Sequence, residues 1–237
     1  MITVQTNHPL AVDSDDHLFP EGIYYDNSLD IKFVNSIENF FNGKKINFLD
    51  LGCAGGELSC EMHKRGHTSV GLEGSDQALN IRPEMVKQVG KLPEGFENWA
   101  QYGNSVLFTC DVTKDYSVLN DGEQLTFDLI TCWDVMEHFH PHEVDEFITL
   151  VHKHLKVGGL FVASIALYHS DLTTNFENSP EDLDYHHSVF PKEWWEEKLS
   201  KHLTEHIYPF DSCNRNYIQP VVGCFDGRNY LYCGIKL

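Results

Sequence analysis

Three glycines fall within the five residues Gly52-Cys53-Ala54-Gly55-Gly56, directly after the apolar run Ile46 to Leu51 and directly before Glu57-Leu58-Ser59. A short apolar run of this kind reads as a buried parallel strand, and the residues behind the glycines favour a helix. Glycine has no Cβ, so Gly52 and Gly55 let the main chain turn sharply and approach a ligand closely, while the amides opening the next helix point at whatever is bound. The chemistry of such a stretch is cofactor binding. Asp50, near the strand's end, can accept a hydrogen bond from a bound cation or water. Further carboxylates follow: Glu73 ends Ser69-Val70-Gly71-Leu72, and Asp111 ends Val106 to Cys110. In open α/β sheets ligands sit outside the carboxyl ends of the strands, where Glu73, about 20 residues past the turn, can accept both hydroxyls of a ribose.

A dinucleotide site needs Gly-x-Gly-x-x-Gly, and Ala54 and Glu57 break that pattern twice. The spacing that stands, Asp50-Leu51-Gly52-x-Ala54-Gly55, resembles the first motif of the class I S-adenosylmethionine-dependent methyltransferases. The order of the later features fits the same family. The resemblance implies that Asp111 contacts an adenine amino group and that the Val112 amide reaches a ring nitrogen. Phe127 to His138 looks like the family's fourth strand with its loop, and Leu155-Lys156-Val157-Gly158-Gly159 precedes its fifth. S-adenosylmethionine is then the cofactor, with Asp50, Gly52, Cys53, Ala54, Gly55, Glu73, Gly74, Asp111, Val112 and Trp133 as its binding residues.

Methyl transfer is an in-line attack by a nucleophile, and much of the catalytic task is positioning, for which well-oriented reactants gain about 7–11 kcal/mol. A hydroxyl nucleophile also benefits from a base, typically 10²–10⁴-fold. His138 lies just past the fourth strand, where many small-molecule O-methyltransferases of this resemblance carry a histidine. His187, in a stretch similar to one that borders the active site in the superfamily, is the second candidate. His140 sits where a helix N-cap would, and His152 and His154 lie near a helix C-terminus, where positive charge is favourable. A metal site could draw on His138, His140 and His142, with Asp134, Glu137 and Glu143 close by. Those histidines need not converge and Pro141 restricts the turn, so no metal is expected.

These residues demand a scaffold. The resemblance implies a Rossmann-like, doubly wound α/β fold: a mostly parallel seven-stranded sheet with an antiparallel last strand and helices on both faces. The chain reads as a single domain over residues 1–237, with a polar lead-in at 1–27 that is either loose or folded over the cofactor. Ser28 can cap a helix carrying Phe33, Val34, Ile37, Phe40 and Phe41 at helical spacing. Pro141 suits the first turn of a helix that Gly158 and Gly159 close, ahead of a strand from Leu160 to Leu167. Asp226-Gly227 and the run from Tyr230 read as a turn and a strand that pairs with Ile207 to Phe210. Residues 77–105 and 168–190 are substrate-side insertions; Phe96, Trp99 and Tyr102 in the first could instead form a satellite core.

Composition bounds the partners. A chain of 237 residues suits one large domain. With 17 basic and 36 acidic side chains the formal charge is −19, which repels phosphate backbones and anionic lipid surfaces, so nucleic acid and membrane are not expected. The expected partner is a small-molecule acceptor, a sugar or related metabolite methylated at a hydroxyl, and a homodimer stays open. Seven cysteines without a Cys-x-x-Cys pair, several in apolar runs, fit a reducing compartment with neither disulfides nor structural zinc, hence a cytoplasmic location. The competing readings are a non-catalytic S-adenosylmethionine-binding module and a nicotinamide-dependent oxidoreductase.

Overall fold

The computed structural model describes residues 1–19, 29–77, 79, 94–169, 184–213 and 228–237. The Ser28 cap, the Asp226-Gly227 turn and most of the expected insertions lie outside them. A seven-stranded sheet runs in the order β4 (Leu107–Thr109), β3 (Thr68–Glu73), β2 (Asn47–Leu51), β7 (Phe127–Trp133), β8 (Leu155–Ala166), β10 (Asn229–Ile235) and β9 (Thr204–Glu205). The first five are parallel, with Leu49 opposite both Val70 and Ile130 and Ile130 opposite Phe161. β10 is antiparallel to β8 and to β9. The fold class expected from the sequence is the one observed.

Strand order reverses at β2: the chain moves outward through β3 and β4, then returns to the other side of β2 as β7. Such a reversal opens a crevice at the carboxyl ends of the two central strands. Both faces of the sheet are covered, and side chains along a strand alternate between them. Leu129 packs with Phe33, Val34, Ile37, Leu58 and Met62, whereas its neighbour Ile130 packs with Phe147, Val151, Phe161 and Trp195. Helices α2 (Ile31–Phe40) and α3 (Glu57–Lys64) supply the first side; α5 (Val144–His154) and α6 (Lys192–Leu199) supply the second. Among the described residues no helix is long and apolar enough to cross a membrane.

Residues 1–19, left open between a loose and a folded-back lead-in, are ordered: β1 (Ile2–Thr6) pairs antiparallel with β5 (Tyr116–Asn120), which pairs with β6 (Glu123–Gln124) in a second, three-stranded sheet. Several other expectations are corrected. The helix expected from Ser28 starts at Ile31, capped by the Asp30 carboxylate, which accepts from the Lys32 amide at 2.8 Å. The helix expected to end at Gly158 ends at His154, because the glycines lie in an irregularity at the start of β8. β10 pairs with Thr204–Glu205 rather than with 207–210; Tyr208 and Phe210 are buried beside Phe33 instead. His154 is fully buried against Tyr116, and burial pushes its imidazole down to about 4, so it brings no charge to the helix end.

Candidate active site

The glycine turn leaves β2 in a left-handed conformation at Gly52 (φ +69), Ala54 (φ +44) and Gly56 (φ +76). Gly52 cannot be replaced without strain: a Cβ there would lie 2.4 Å from Val135 Cγ2, a side chain placed by the loop after β7. Ala54 is a non-glycine residue in a region that disfavours a Cβ, and neighbours hold it there. Its amide donates to Glu73 Oε2 at 2.8 Å, and its carbonyl accepts the indole N–H of Trp99 at 2.7 Å. The Gly55 carbonyl accepts from the Asn98 side chain at 3.2 Å. Asn98 and Trp99 belong to α4 (Glu94–Tyr102), part of the expected insertion, and Trp99 packs with Cys53, Cys60, Val106 and Leu107 as a satellite core.

Glu73 ends β3 buried, its second carboxylate oxygen accepting from the Ser75 amide at 3.1 Å. Burial pushes its carboxyl up to about 7 against the opposing pull of the Ala54 and Ser75 amides, and the Asp16 carboxylate adds to the rise. A buried acid with spare lone pairs suits hydroxyl donors such as a ribose pair. Asp111 stands two residues beyond β4, and its Oδ1 accepts from the Thr113 amide (2.9 Å) and hydroxyl (2.7 Å). Gly52, Glu73 and Asp111 therefore follow or end three neighbouring parallel strands at their carboxyl ends.

Three of the predicted binding side chains point elsewhere. Asp50 is buried inside β2, where Oδ1 accepts the Thr131 hydroxyl at 2.6 Å. The Trp133 ring packs edge-on against Phe33 at 5.2 Å within the core on the α2 side. The Cys53 thiol likewise faces the satellite core, with its proton held by burial beside Glu73 and Asp50.

The N-terminal segment crosses these strand ends, the folded-back alternative of the two sequence readings. The His8 carbonyl accepts from the Asp111 amide at 2.9 Å and the Ala11 amide donates to the Gly74 carbonyl at 2.8 Å. Helix α1 (Asp15–Leu18), capped by Ser14, then hangs its acids beside the histidines. His138 Nδ1 lies 2.8 Å from Asp16 Oδ2, and His187 Nε2 lies 3.0 Å from Asp15 Oδ2. Tyr185 donates its hydroxyl to the Phe19 carbonyl at 2.6 Å.

His138 closes the single 3₁₀ turn Met136–His138 after β7. Burial alone would lower its imidazole, but the Asp16 carboxylate, with Glu137 and Asp134 behind it, outweighs that and pushes it up to about 9. Glu137 is fully buried. Its Oε1 accepts from the Ala166 amide at 3.1 Å and its Oε2 has no hydrogen-bond partner among the described residues. Burial and the Asp134 carboxylate raise its pKa. His186, which sequence reasoning passed over for its neighbour His187, completes the group: one ligand atom each from Glu137, His138 and His186 lies within 4.8 Å of the others. His140 does not cap α5; Glu143 precedes the helix and its carboxylate accepts from the His140 amide at 3.1 Å. His140 and His142 stack on each other, and His140 stacks on His187.

Comparison with known proteins agrees with this geometry. The methyltransferase domain family matches residues 30–211. A mitochondrial ubiquinone biosynthesis O-methyltransferase from Schizosaccharomyces pombe is 27% identical over 180 residues, covering 69% of this chain and 58% of the relative. An enzyme of the same name from Thiobacillus denitrificans is 32% identical over 96 residues, 40% of this chain and 34% of the relative. The chain thus spans well under two thirds of the length of these relatives. Among solved structures, an S-adenosylmethionine-dependent methyltransferase from Clostridium acetobutylicum superposes with a TM-score of 0.54 at 18% identity, covering 93% of this chain and 96% of that one. A Pyrococcus horikoshii protein superposes equally well, at TM-score 0.54 and 18% identity over 91% of this chain and 96% of that one. The glycine turn, the acids at the strand ends and the matched family agree: this chain belongs to the methyltransferase domain family of the class I S-adenosylmethionine-dependent superfamily, with S-adenosylmethionine as its cofactor.

Proposed function

We propose that the chain transfers a methyl group from S-adenosylmethionine to a hydroxyl oxygen of a small polar metabolite, a sugar or a related hydroxylated compound. The reading is carried by one observation: Glu73 is a buried carboxyl that holds the glycine turn through the Ala54 amide while standing at a strand end in the crevice. In this reading Glu73 takes the ribose hydroxyls, Asp111 and the Val112 amide take the adenine edge, and the main chain of Gly52, Cys53, Ala54, Gly55 and Gly74 lines the cofactor. Asp50 and Trp133 act through the backbone they support. The bound cofactor supplies an electrophilic methyl on a positively charged sulfur. His138 and His187 border the acceptor side, each tied to an acid of α1. The relatives' names support oxygen as the target atom, and their place in ubiquinone biosynthesis favours a ring hydroxyl as a second acceptor class. The charge of −19 argues against a nucleic-acid acceptor. Six described cysteines, all free and buried, are compatible with a reducing location such as the cytoplasm.

Thermal unfolding with each cofactor tests the assignment. Saturation at 100 times the dissociation constant stabilises by about 2.7 kcal/mol. S-adenosylmethionine is expected to do so and a nicotinamide dinucleotide is not; the reverse result removes the reading. Glu73→Ala is expected to weaken cofactor binding by about 1.5–3 kcal/mol, the worth of a charged hydrogen bond. The pH dependence has a definite sign. The Glu73 carboxyl is raised to about 7, and ribose hydroxyls favour its ionised form, so affinity rises with pH through 7. Calorimetry should find the dissociation constant about fivefold higher at pH 6 than at pH 7, and nearly tenfold higher for each further unit of acidification.

A further inference from the structure

We propose that Glu137, His138 and His186 form a binding site for a divalent ion of the zinc class just beyond the end of β7. The alternating histidines His138, His140 and His142 are not the set that the fold gathers. One ligand atom each from Glu137, His138 and His186 lies within 4.8 Å of the others, the only such group among the described residues. Two imidazoles and one carboxylate are a ligand set of open zinc sites, and an ion that takes each at about 2.0–2.2 Å draws the three closer by small side-chain rotations.

A second, independent observation is the unmet demand of Glu137. Its side chain is fully buried, Oε1 accepts from the Ala166 amide at 3.1 Å, and Oε2 has no hydrogen-bond partner among the described residues. Leaving such an oxygen alone is costly, and buried charges are paired or coordinate metals. A third is the way the two histidines are held. A metal-ligating histidine gives its other ring nitrogen to a carboxylate or a backbone carbonyl, which fixes ring and tautomer. His138 Nδ1 lies 2.8 Å from Asp16 Oδ2, an ion-pair contact without hydrogen-bond alignment, and His186 Nδ1 lies 2.6 Å from the Tyr168 carbonyl oxygen. A carbonyl only accepts, so His186 carries a proton on Nδ1, and in both rings Nε2 is the nitrogen left for an ion. The His186 amide donates to Asp184 Oδ1 at 2.9 Å, which fixes the backbone as well. His187 has the opposite arrangement: its Nε2 lies 3.0 Å from Asp15 Oδ2 and its ring stacks on His140, outside the group.

The ligand types choose the ion. Imidazole nitrogens favour zinc over magnesium or calcium, which prefer oxygen sets. His138 and His186 are only half-buried, so an ion can enter, and three protein ligands leave a further position open. Where His138 carries two protons, the ion replaces the one on Nε2 and leaves the Asp16 contact in place. The site also adjoins the glycine turn. Val135, which a Cβ on Gly52 would strike, immediately precedes the Met136–His138 turn. The use of the ion rests on the hydroxyl-methylation reading above: the open position takes the acceptor's hydroxyl oxygen and lowers its pKa. The hydroxyl proton leaves to solvent and an oxygen lone pair forms the new C–O bond. The sulfur–methyl bond breaks with its electron pair returning to sulfur, so a sulfonium and a hydroxyl become a thioether, an ether and a proton.

Zinc titration of the chelator-treated chain tests the site with neither cofactor nor acceptor. Calorimetry should find one tight zinc ion per chain that magnesium does not displace. Glu137→Gln keeps the shape and an oxygen for the Ala166 amide, and His186→Ala removes one imidazole; each should weaken zinc binding by more than about tenfold. Asp16→Asn, which removes the carboxylate behind His138, should weaken it about 10–100-fold. His142→Ala leaves the three ligands in place and should change nothing. Zinc affinity that survives both ligand substitutions, or that falls in His142→Ala instead, overturns the site and leaves adventitious binding to surface histidines. Should Glu137→Gln fail to fold, His186→Ala decides. With catechol as acceptor probe, turnover should fall on chelation and return with zinc but not with magnesium; full turnover of the metal-free chain overturns the ion's part in the reaction. A chain that binds zinc here yet fails to bind S-adenosylmethionine keeps the site and loses the methylation reading.

Discussion

The two ends of the crevice are built on different principles. At the cofactor end, Gly52, Ala54, Gly56 and Glu73 come from one strand–turn–helix–strand unit, and the backbone makes most of the contacts. At the end proposed for the acceptor, Asp15 and Asp16, Glu137 and His138, and Tyr185, His186 and His187 arrive from three distant segments, and side chains make the contacts. A backbone grip depends on φ angles and absent Cβ atoms, which tolerate little change. A side-chain cluster depends on charge and tautomer, which substitution can tune. Within one fold, the cofactor end is therefore the rigid part and the acceptor end the adjustable one.

The sharpest way to break this comparison is Gly52→Ala. The residue has φ +69, and its new Cβ would lie 2.4 Å from Val135. A left-handed conformation costs a non-glycine residue about 1–2 kcal/mol, and overpacking adds about 1–3 kcal/mol. Gly158, with φ +79 and nothing within 4 Å of a built Cβ, is the control and should show the first of these costs alone. Chemical denaturation of both variants checks the pair. Equal losses would mean that Val135 yields freely and that the grip is less rigid than its geometry.

Asp16→Asn tests the acceptor end and is expected to act through pH. The folded-state pKa of His138 is raised to about 9, above its unfolded value of about 6.5, so the pair's contribution is fully present below pH 6.5 and is lost as pH rises through 9. At neutral pH the variant should lose about 1–3 kcal/mol and its stability should vary less between pH 6.5 and 9 than that of the parent. Since Asp16 also raises Glu73, its removal should lower the Glu73 pKa and move the pH dependence of cofactor affinity to more acidic values. A parallel stability profile in variant and parent would sever the link between the N-terminal segment and His138.

The same contrast explains what the sequence could convey. The glycine turn, Glu73 and Asp111 were legible because each sits on or beside its own apolar run, and the strand order follows from alternating strand and helix signals. The β1–β5 pairing was not, because Ile2 to Thr6 finds its partner more than a hundred residues away and a two-period alternation in five residues is weak. Nothing in His186-His187 says which of two adjacent imidazoles meets a carbonyl and which a carboxylate; Tyr168, beyond β8, and Asp15, in α1, decide that. His154 misled for a related reason, since proximity to a helix terminus carries no information about burial. Trp99, in an irregular stretch, gave no sign that its indole would reach the glycine turn.

That indole offers the finest test of the comparison. Trp99→Phe keeps an aromatic ring in the satellite core with Cys53, Cys60, Val106 and Leu107 and removes the N–H that the Ala54 carbonyl accepts at 2.7 Å. The lost hydrogen bond is worth about 0.5–1.5 kcal/mol, and for a chain of this size each kcal/mol moves the melting temperature by about 2–4 °C. Ala54 sits at φ +44, so loosening its carbonyl should let the turn relax toward ordinary dihedrals and weaken cofactor binding along with stability. The His186 tautomer, held by Tyr168 on the far side of β7, should not change. A variant that melts lower yet binds the cofactor as before would show that Glu73 alone holds the turn. One that also disturbs the histidines would show that the two ends are mechanically joined, and the division between a rigid and an adjustable end would fail.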